Sequence, residues 1–292
     1  MKLRSLLFVP GDSERKLSSC GTVPADGLIL DLEDSVGPEN KSAARELVSE
    51  FLADHVGDRQ QQLWVRINPV DQVDALEDLA SIMNGRPDGI VQPKARSPDD
   101  VLLLGQHLEN FEKDLGIETG STRILPVSIE SAGAIFSLGE YVQCDQRLAA
   151  LTWGAEDLRT AVGAVTNRDR EGNWTSPFQL ARNLCLFAAH AAGVVAIDTI
   201  YTDFRDGEGL RTICDEARRD GFSGKLAIHP DQVSLINSAF TPSEEEIVRA
   251  RRIVELFEAN PGVATLSLDG VMLDIPHLKQ AQKTLAKAVD VD

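Results

Sequence analysis

Eight short apolar runs recur along the chain, at residues 5–9, 27–32, 63–67, 89–92, 124–129, 149–153, 195–200 and 225–228. Nearly every one gives way to Gly, Pro or a charged residue and then to a segment of helical periodicity. The runs have strand length, and the segments between them (13–19, 39–53, 73–83, 99–115, 132–141, 177–192 and 209–219) keep their apolar residues on one helical face. Strands separated by helices run parallel, because a parallel neighbour needs a crossover. Eight such repeats predict a (β/α)8 TIM barrel. An open doubly wound sheet shows fewer strands and a glycine-rich first turn, whereas Phe8-Val-Pro-Gly-Asp12 has one glycine and no dinucleotide fingerprint.

Helix starts are signalled in several places. Ser97-Pro98-Asp99-Asp100 supplies an N-cap, a first-turn proline and acid, and Ser243 with Glu246 forms a capping box for a helix over 243–259. A shorter helix is predicted over 234–239. Residues 163–175 are a polar excursion at the rim, either a cover for substrate or a plain surface insertion. The barrel is expected to span 1–260. Beyond it, 261–292 form a C-terminal extension in which Asp269-Gly-Val-Met-Leu-Asp274-Ile-Pro-His277 leads into a basic amphipathic helix over 278–288. With eight strands already assigned, this tail must lie outside the barrel or reach another subunit.

Charge narrows the partners. Forty-six acidic against 29 basic residues give a net charge of -17, which argues against nucleic acid and requires local cations or a metal to hold any anionic ligand. Cys20, Cys144, Cys185 and Cys214 are scattered in apolar patterns with no Cys-x-x-Cys pair, as buried thiols in a reducing cytoplasm would be. The first apolar run stops at Pro10-Gly11, too short for a secretory core or a membrane span, so no membrane partner is expected.

Chemistry gathers where strands end. Ile124-Leu-Pro-Val-Ser-Ile-Glu130 and Leu151-Thr-Trp-Gly-Ala-Glu-Asp157 are apolar runs that each end in a carboxylate, one strand–helix–strand unit apart. On neighbouring strands Glu130 and Asp157 converge, and two hard oxygen ligands completed by water and substrate suit Mg2+; the alternative is that both only cap the following helices. Strand two ends Leu30-Asp31-Leu-Glu33-Asp34, with Asp31 and Glu33 on one face. They are expected at the substrate-binding rim, orienting a metal-bound water, or else in salt bridges to Arg66 or Lys94, while Asp34 reads as a capping and salt-bridge residue. Arg66, in Val65-Arg-Ile-Asn68, is placed either to fork a substrate carboxylate or to pair with Asp31 and Glu33. Lys94 among these acids should stay charged, which disfavours a Schiff base. His229, before Pro230, is either an acid–base group or a rim-fixing hydrogen bonder. No histidine spacing suits zinc, and no nucleophile elbow is present.

Arg4-Ser-Leu-Leu-Phe-Val-Pro-Gly11, Leu30-Asp-Leu-Glu-Asp-Ser35, Val65-Arg-Ile-Asn68, Pro126-Val-Ser-Ile-Glu-Ser-Ala132, Gly154-Ala-Glu-Asp-Leu158 and Met272-Leu-Asp-Ile-Pro276 together resemble the citrate lyase beta subunit family, with its malyl-CoA and citramalyl-CoA lyase relatives in the HpcH/HpaI aldolase group. The resemblance runs in order over essentially the whole chain. It implies a TIM barrel assembled as a homotrimer or hexamer that cleaves a carbon–carbon bond in a 3-hydroxyacyl-CoA thioester. It further implies Glu130 and Asp157 as Mg2+ ligands, Arg66 as the substrate arginine, and Asp274 as a catalytic aspartate supplied to a neighbouring protomer. Ile228-His229-Pro230 is more like the stand-alone, CoA-using members than citrate lyase subunits, which favours a malyl- or citramalyl-type thioester. Citryl-thioester cleavage, malyl-CoA hydrolysis and a non-catalytic acyl-thioester-binding subunit are the alternatives. Arg4, Arg15 and Lys16 are placed to meet CoA phosphates or simply to form a solvated face.

Overall fold

The structure, a computed structural model, describes residues 2–144 and 146–289. Eight parallel strands form one sheet: β1 (Ser5–Pro10), β2 (Gly27–Asp31), β3 (Gln62–Arg66), β4 (Gly89–Gln92), β5 (Arg123–Pro126), β6 (Ala150–Leu151), β7 (Val195–Asp198) and β8 (Gly224–Ala227). The ladder runs β5-β4-β3-β2-β1-β8-β7-β6. Isolated parallel bridges at Ile124–Leu148 and Val127–Thr152 join its two ends, so the sheet closes into a TIM-type barrel. That seam between β5 and β6 is made of isolated bridges and not of a continuous ladder. Its backbone bonds include Ala149 N–H to Ile124 O (2.9 Å), Ser128 N–H to Thr152 O (2.8 Å) and Gly154 N–H to Ile129 O (2.9 Å).

One apolar cluster takes a side chain from every strand, including Leu6, Ile29, Trp64, Val91, Leu125, Ala150, Ile197 and Leu226, and therefore fills the barrel interior. Strand alternation carries the same inward face up to the rim: Ile29 is followed by Asp31, and Trp64 by Arg66. The interior that folds the barrel thus also aims the polar residues at its mouth.

The helices are α1 (Glu14–Cys20), α2 (Lys41–Asp54), α3 (Val73–Ile82), α4 (Pro98–Asp114), α5 (Ala155–Ala161), α6 (Ser176–Ala191), α7 (Gly207–Asp220) and α8 (Pro230–Phe240). Ser97 caps α4 as its sequence signals, with its side chain accepting from Asp99 N–H. Two helical elements of the barrel unit differ from the expected pattern. The segment after β5 is a 3-10 helix, Gly133–Gln143, and α5 is a short helix in a stretch that carried no clear helical period. No helix among the described residues is long and apolar enough to cross a membrane.

The chain divides into two compact units between Asn237 and Ser238, earlier than the expected division after residue 260. The second unit contains α9 (Glu244–Glu258), with the expected Ser243–Glu246 capping box, then β9 (Thr265–Leu268), β10 (Val271–Asp274) and α10 (Ile275–Val289). The antiparallel β9–β10 hairpin turns on Asp269-Gly270, both at positive φ (52° and 80°), the backbone a tight two-residue turn demands. Its own small core joins Ile253 and Phe257 of α9 to Leu273 and to Ala281 of α10. This unit can therefore order itself without a barrel strand.

Candidate active site

A cavity of about 260 Å3 opens at the C-terminal rim of the barrel, and its lining includes Phe8, Asp31, Arg66, Glu130, Trp153 and Asp157. Strand ends from β1, β2, β3 and β5 and the first turn of α5 thus meet at one point. Glu130, Asp157, Arg66 and Asp31, expected together from the sequence, are brought together; Glu33 lies directly behind them. Asp274 belongs to the second compact unit. There it ends β10, its Oδ1 lies 2.5 Å from His277 Nδ1, and it has exposed apolar neighbours in Met272 and Ile275.

Arg66 is held by acids on two sides. Its Nε and Nη2 donate to the two oxygens of Asp31 at 2.6 Å each, and its Nη1 stands 3.0 Å from Glu33 Oε2. Phe8 supplies a ring face 4.7 Å from the guanidinium carbon. Burial opposes ionisation of Asp31, but the Arg66 fork outweighs it and holds the carboxyl below its ordinary range. Asp31 also accepts from the N–H groups of Glu33 and Ser35, so its oxygens serve the rim itself. The structural pairing weighed for Arg66 is therefore present, and the N–H groups it leaves over remain for a ligand.

Glu130 is buried, and no hydrogen bond besides that from Lys94 N–H to its Oε2 engages the carboxylate among the described residues. Burial pushes its pKa up to about 8, and the charges of Asp157 and Glu33 push the same way. Room for the side chain depends on Gly154, where a Cβ would come within 2.6 Å of Glu130 Cγ. Lys94 joins the cluster through Nζ, which donates to Glu33 and lies 3.2 Å from Asp34 Oδ1. Burial raises the Glu33 pKa despite Arg66 and Lys94. Lys94 is driven the other way, further into its charged form, by those carboxylates, as expected of a lysine that is no Schiff-base nucleophile.

The far wall is fixed from behind. Trp153 Nε1 donates to Asp198 Oδ1 at 2.9 Å, and Asp198 also faces Arg182 and Lys225. In front, Trp153 meets the edge of Trp174, whose ring carries the Arg168 guanidinium at 3.6 Å. Asn167 bonds Glu156 at 2.8 Å, so the 163–175 excursion is anchored beside the cavity. His229 stacks on Phe204 and its Nδ1 accepts from Asp231 N–H at 3.3 Å, as a rim-fixing residue would. Sequence reasoning passed over Trp153, Trp174 and Asp198. The one signal was a tryptophan inside an otherwise polar loop.

Residues 4–230 match the HpcH/HpaI aldolase/citrate lyase family. The chain belongs to that family. Within it, the chain is 35% identical to the citrate lyase subunit beta of Escherichia coli K12, over 98% of this chain and 93% of the relative. It is 30% identical to human mitochondrial citramalyl-CoA lyase, over 99% and 86%. Among solved structures, Mycobacterium tuberculosis CitE in complex with magnesium, acetoacetate and coenzyme A superimposes with a TM-score of 0.79 at 28% identity, covering 98% of each chain.

Proposed function

We propose that this chain is a Mg2+-dependent carbon–carbon lyase that cleaves a 3-hydroxyacyl-CoA thioester of the malyl or citramalyl type to acetyl-CoA and a 2-oxo acid. The observation that carries the reading is the meeting of Glu130, Asp157 and Arg66 in one cavity. Both family relatives named above are lyases.

The donor set fits the metal. Glu130 is a buried acid whose ionisation is opposed by burial and by Asp157, so a dication between the two would relieve both effects. Among the described residues no group of three or more His, Cys, Asp or Glu is poised around a metal. Two carboxylates with water and substrate oxygens suit Mg2+, which keeps several waters, better than a structural zinc. Held by Glu130 and Asp157, Mg2+ would supply Lewis-acid polarisation of the substrate's hydroxyl and carboxylate oxygens.

The residues of the chain do the rest. Arg66, locked by Asp31 and Glu33, offers its remaining N–H groups to the substrate carboxylate or the thioester oxygen, where charge gathers as the bond breaks. Phe8 and Trp153 wall the cavity against water. The hydroxyl gives its proton to water, the carbon–carbon bond breaks to leave a 2-oxo acid and a thioester enolate, and the enolate carbon takes a proton from the carboxyl of Asp274 of an adjacent protomer, which water then reprotonates. The proposed assembly is a homotrimer or hexamer in the cytoplasm, a setting in keeping with the free thiols of Cys20, Cys144, Cys185 and Cys214. Exposed Val271, Met272 and Ile275 beside Asp274 support a subunit contact there.

The acyl group is tested by mass spectrometry of products from malyl-, citramalyl- and citryl-CoA with Mg2+. Acetyl-CoA plus glyoxylate or pyruvate is expected. Oxaloacetate from citryl thioester alone would reassign the chain to citrate lyase chemistry, a reading in line with its 35% identity to such a subunit against 30% to citramalyl-CoA lyase. Free hydroxy acid plus CoA would mark a thioesterase, and no turnover a binding subunit. The tail is tested by mixing Asp274→Asn with Glu130→Ala protein under subunit exchange. Activity should reappear, and a mixture that stays dead with exchange demonstrated removes Asp274 from a shared site.

A further inference from the structure

Lys94 has a left-handed backbone, with φ at 52°. It follows Pro93 in the turn that ends β4, a position where a positive φ ordinarily selects glycine. A side chain with Cβ is disfavoured there, so its retention calls for a reason. Two contacts supply one. The Lys94 N–H, turned inward by this conformation, donates to Glu130 Oε2, and the Lys94 ammonium reaches back to Glu33 and Asp34. Glu33 in turn stands against Arg66.

We propose that Lys94 is a positioning residue with two separable tasks, its left-handed N–H aiming Glu130 and its ammonium fixing Glu33 against Arg66. The proposal rests on the reading of Glu130 as a Mg2+ ligand. The backbone bond holds one oxygen of Glu130 and leaves the other for a cation, while Gly154, lacking a Cβ, leaves the room that the side chain occupies. The side chain, two contacts away, sets the arginine that meets substrate. A glycine would perform the first task without strain and could not perform the second. That asymmetry makes the two tasks distinguishable.

The test compares Lys94→Gly, Lys94→Ala and Lys94→Val by calorimetric Mg2+ titration and by KM and kcat, with thermal midpoints to establish folding and Glu130→Gln as reference. Lys94→Gly keeps the N–H and accepts positive φ, so its Mg2+ affinity should stay within about twofold of the parent. Its KM should rise about tenfold or more as Glu33 loses its hold on Arg66. Lys94→Val, β-branched and least tolerant of this backbone, should lose about tenfold or more in Mg2+ affinity, with Lys94→Ala between the two and serving in its place if the valine variant does not fold. Equal Mg2+ affinity in the glycine and alanine variants would overturn the backbone task, and an unchanged KM in Lys94→Gly would overturn the side-chain task. If instead Glu130→Gln binds Mg2+ as the parent does, it is the metal assignment that fails, whatever the Lys94 variants do.

Discussion

The charge cluster behind β7 and β8 and the charge cluster at the rim are built on opposite rules. Behind β7 and β8, Asp198 accepts from Trp153 and its own Thr199 N–H and faces Arg182 and Lys225, and Lys225 donates to Thr199 O at 2.6 Å. Its carboxylate is surrounded. Burial opposes the charge, yet Lys225 and Arg182 outweigh it and hold the pKa below the ordinary range. At the rim, Asp31, Glu33, Asp34, Glu130 and Asp157 outnumber the cations Arg66 and Lys94 that bond among them. There Glu130 is pushed upward. A matched cluster is finished as folded, whereas an unmatched one awaits a ligand of the missing sign. The contrast predicts that changes at the rim remove activity and leave stability, and that changes behind β7 do the reverse.

The largest effect should come from Glu130→Ala or Asp157→Ala. Each should abolish Mg2+-dependent turnover while the circular dichroism spectrum and thermal midpoint stay near the parent's, because each removes a charge that the fold does not neutralise. Undiminished turnover in either purified variant would break the comparison at its functional end. Arg66→Lys comes next. It keeps the charge and loses the fork to Asp31, so kcat/KM should fall about 10- to 100-fold; an unchanged value would show that the arginine is peripheral.

Asp198→Ala leaves Arg182 and Lys225 buried beside a missing partner and should cost about 3–5 kcal/mol of stability in a denaturant titration. A loss below about 1 kcal/mol, the range of an exposed pair, would erase the distinction between the clusters. The same residue predicts a pH effect. The folded pKa of Asp198 lies below the value of about 4 found in unfolded chains, so its contribution is complete above that pH and is lost as pH falls through the folded pKa. The stability gap between the parent and Asp198→Asn should therefore narrow below about pH 4, and a gap that widens there would reverse the sign of the argument. The smallest change is Gly154→Ala. Its added Cβ would meet Glu130 Cγ at 2.6 Å, so Mg2+ affinity should weaken with little change in thermal midpoint.

Much of this architecture is legible in the sequence because the barrel repeats one instruction eight times. Each apolar run lies at or within a few residues of a strand, and Ser97 and Ser243 cap the helices they were expected to start. The hairpin of the second unit was missed although Asp269-Gly270 carries its turn signal, since each strand is only four residues long, β9 buries no residue fully and β10 buries only Leu273. At the rim, period-two alternation puts Asp31 beside Arg66, and equivalent strand ends put Glu130 near Asp157. The pairing of Arg66 with Asp31 and Glu33 was one of two readings the strand ends left open, and only the distances between strands show it made; the left-handed backbone of Lys94 depends on a turn that no residue pattern encodes.

The β5–β6 seam of the barrel lies between the two acids of the rim. Glu130 follows β5 and Asp157 follows β6, so the two acids stand on either side of the joint where the regular ladder gives way to isolated bridges. A dication gripping both would act as a rivet across that joint. Amide hydrogen exchange at Ser128, Ala149 and Gly154 should then slow on adding Mg2+, while the amides between β1 and β2, already laddered along five residue pairs, should stay as they were. In that sense the ion would complete the hoop as well as the chemistry.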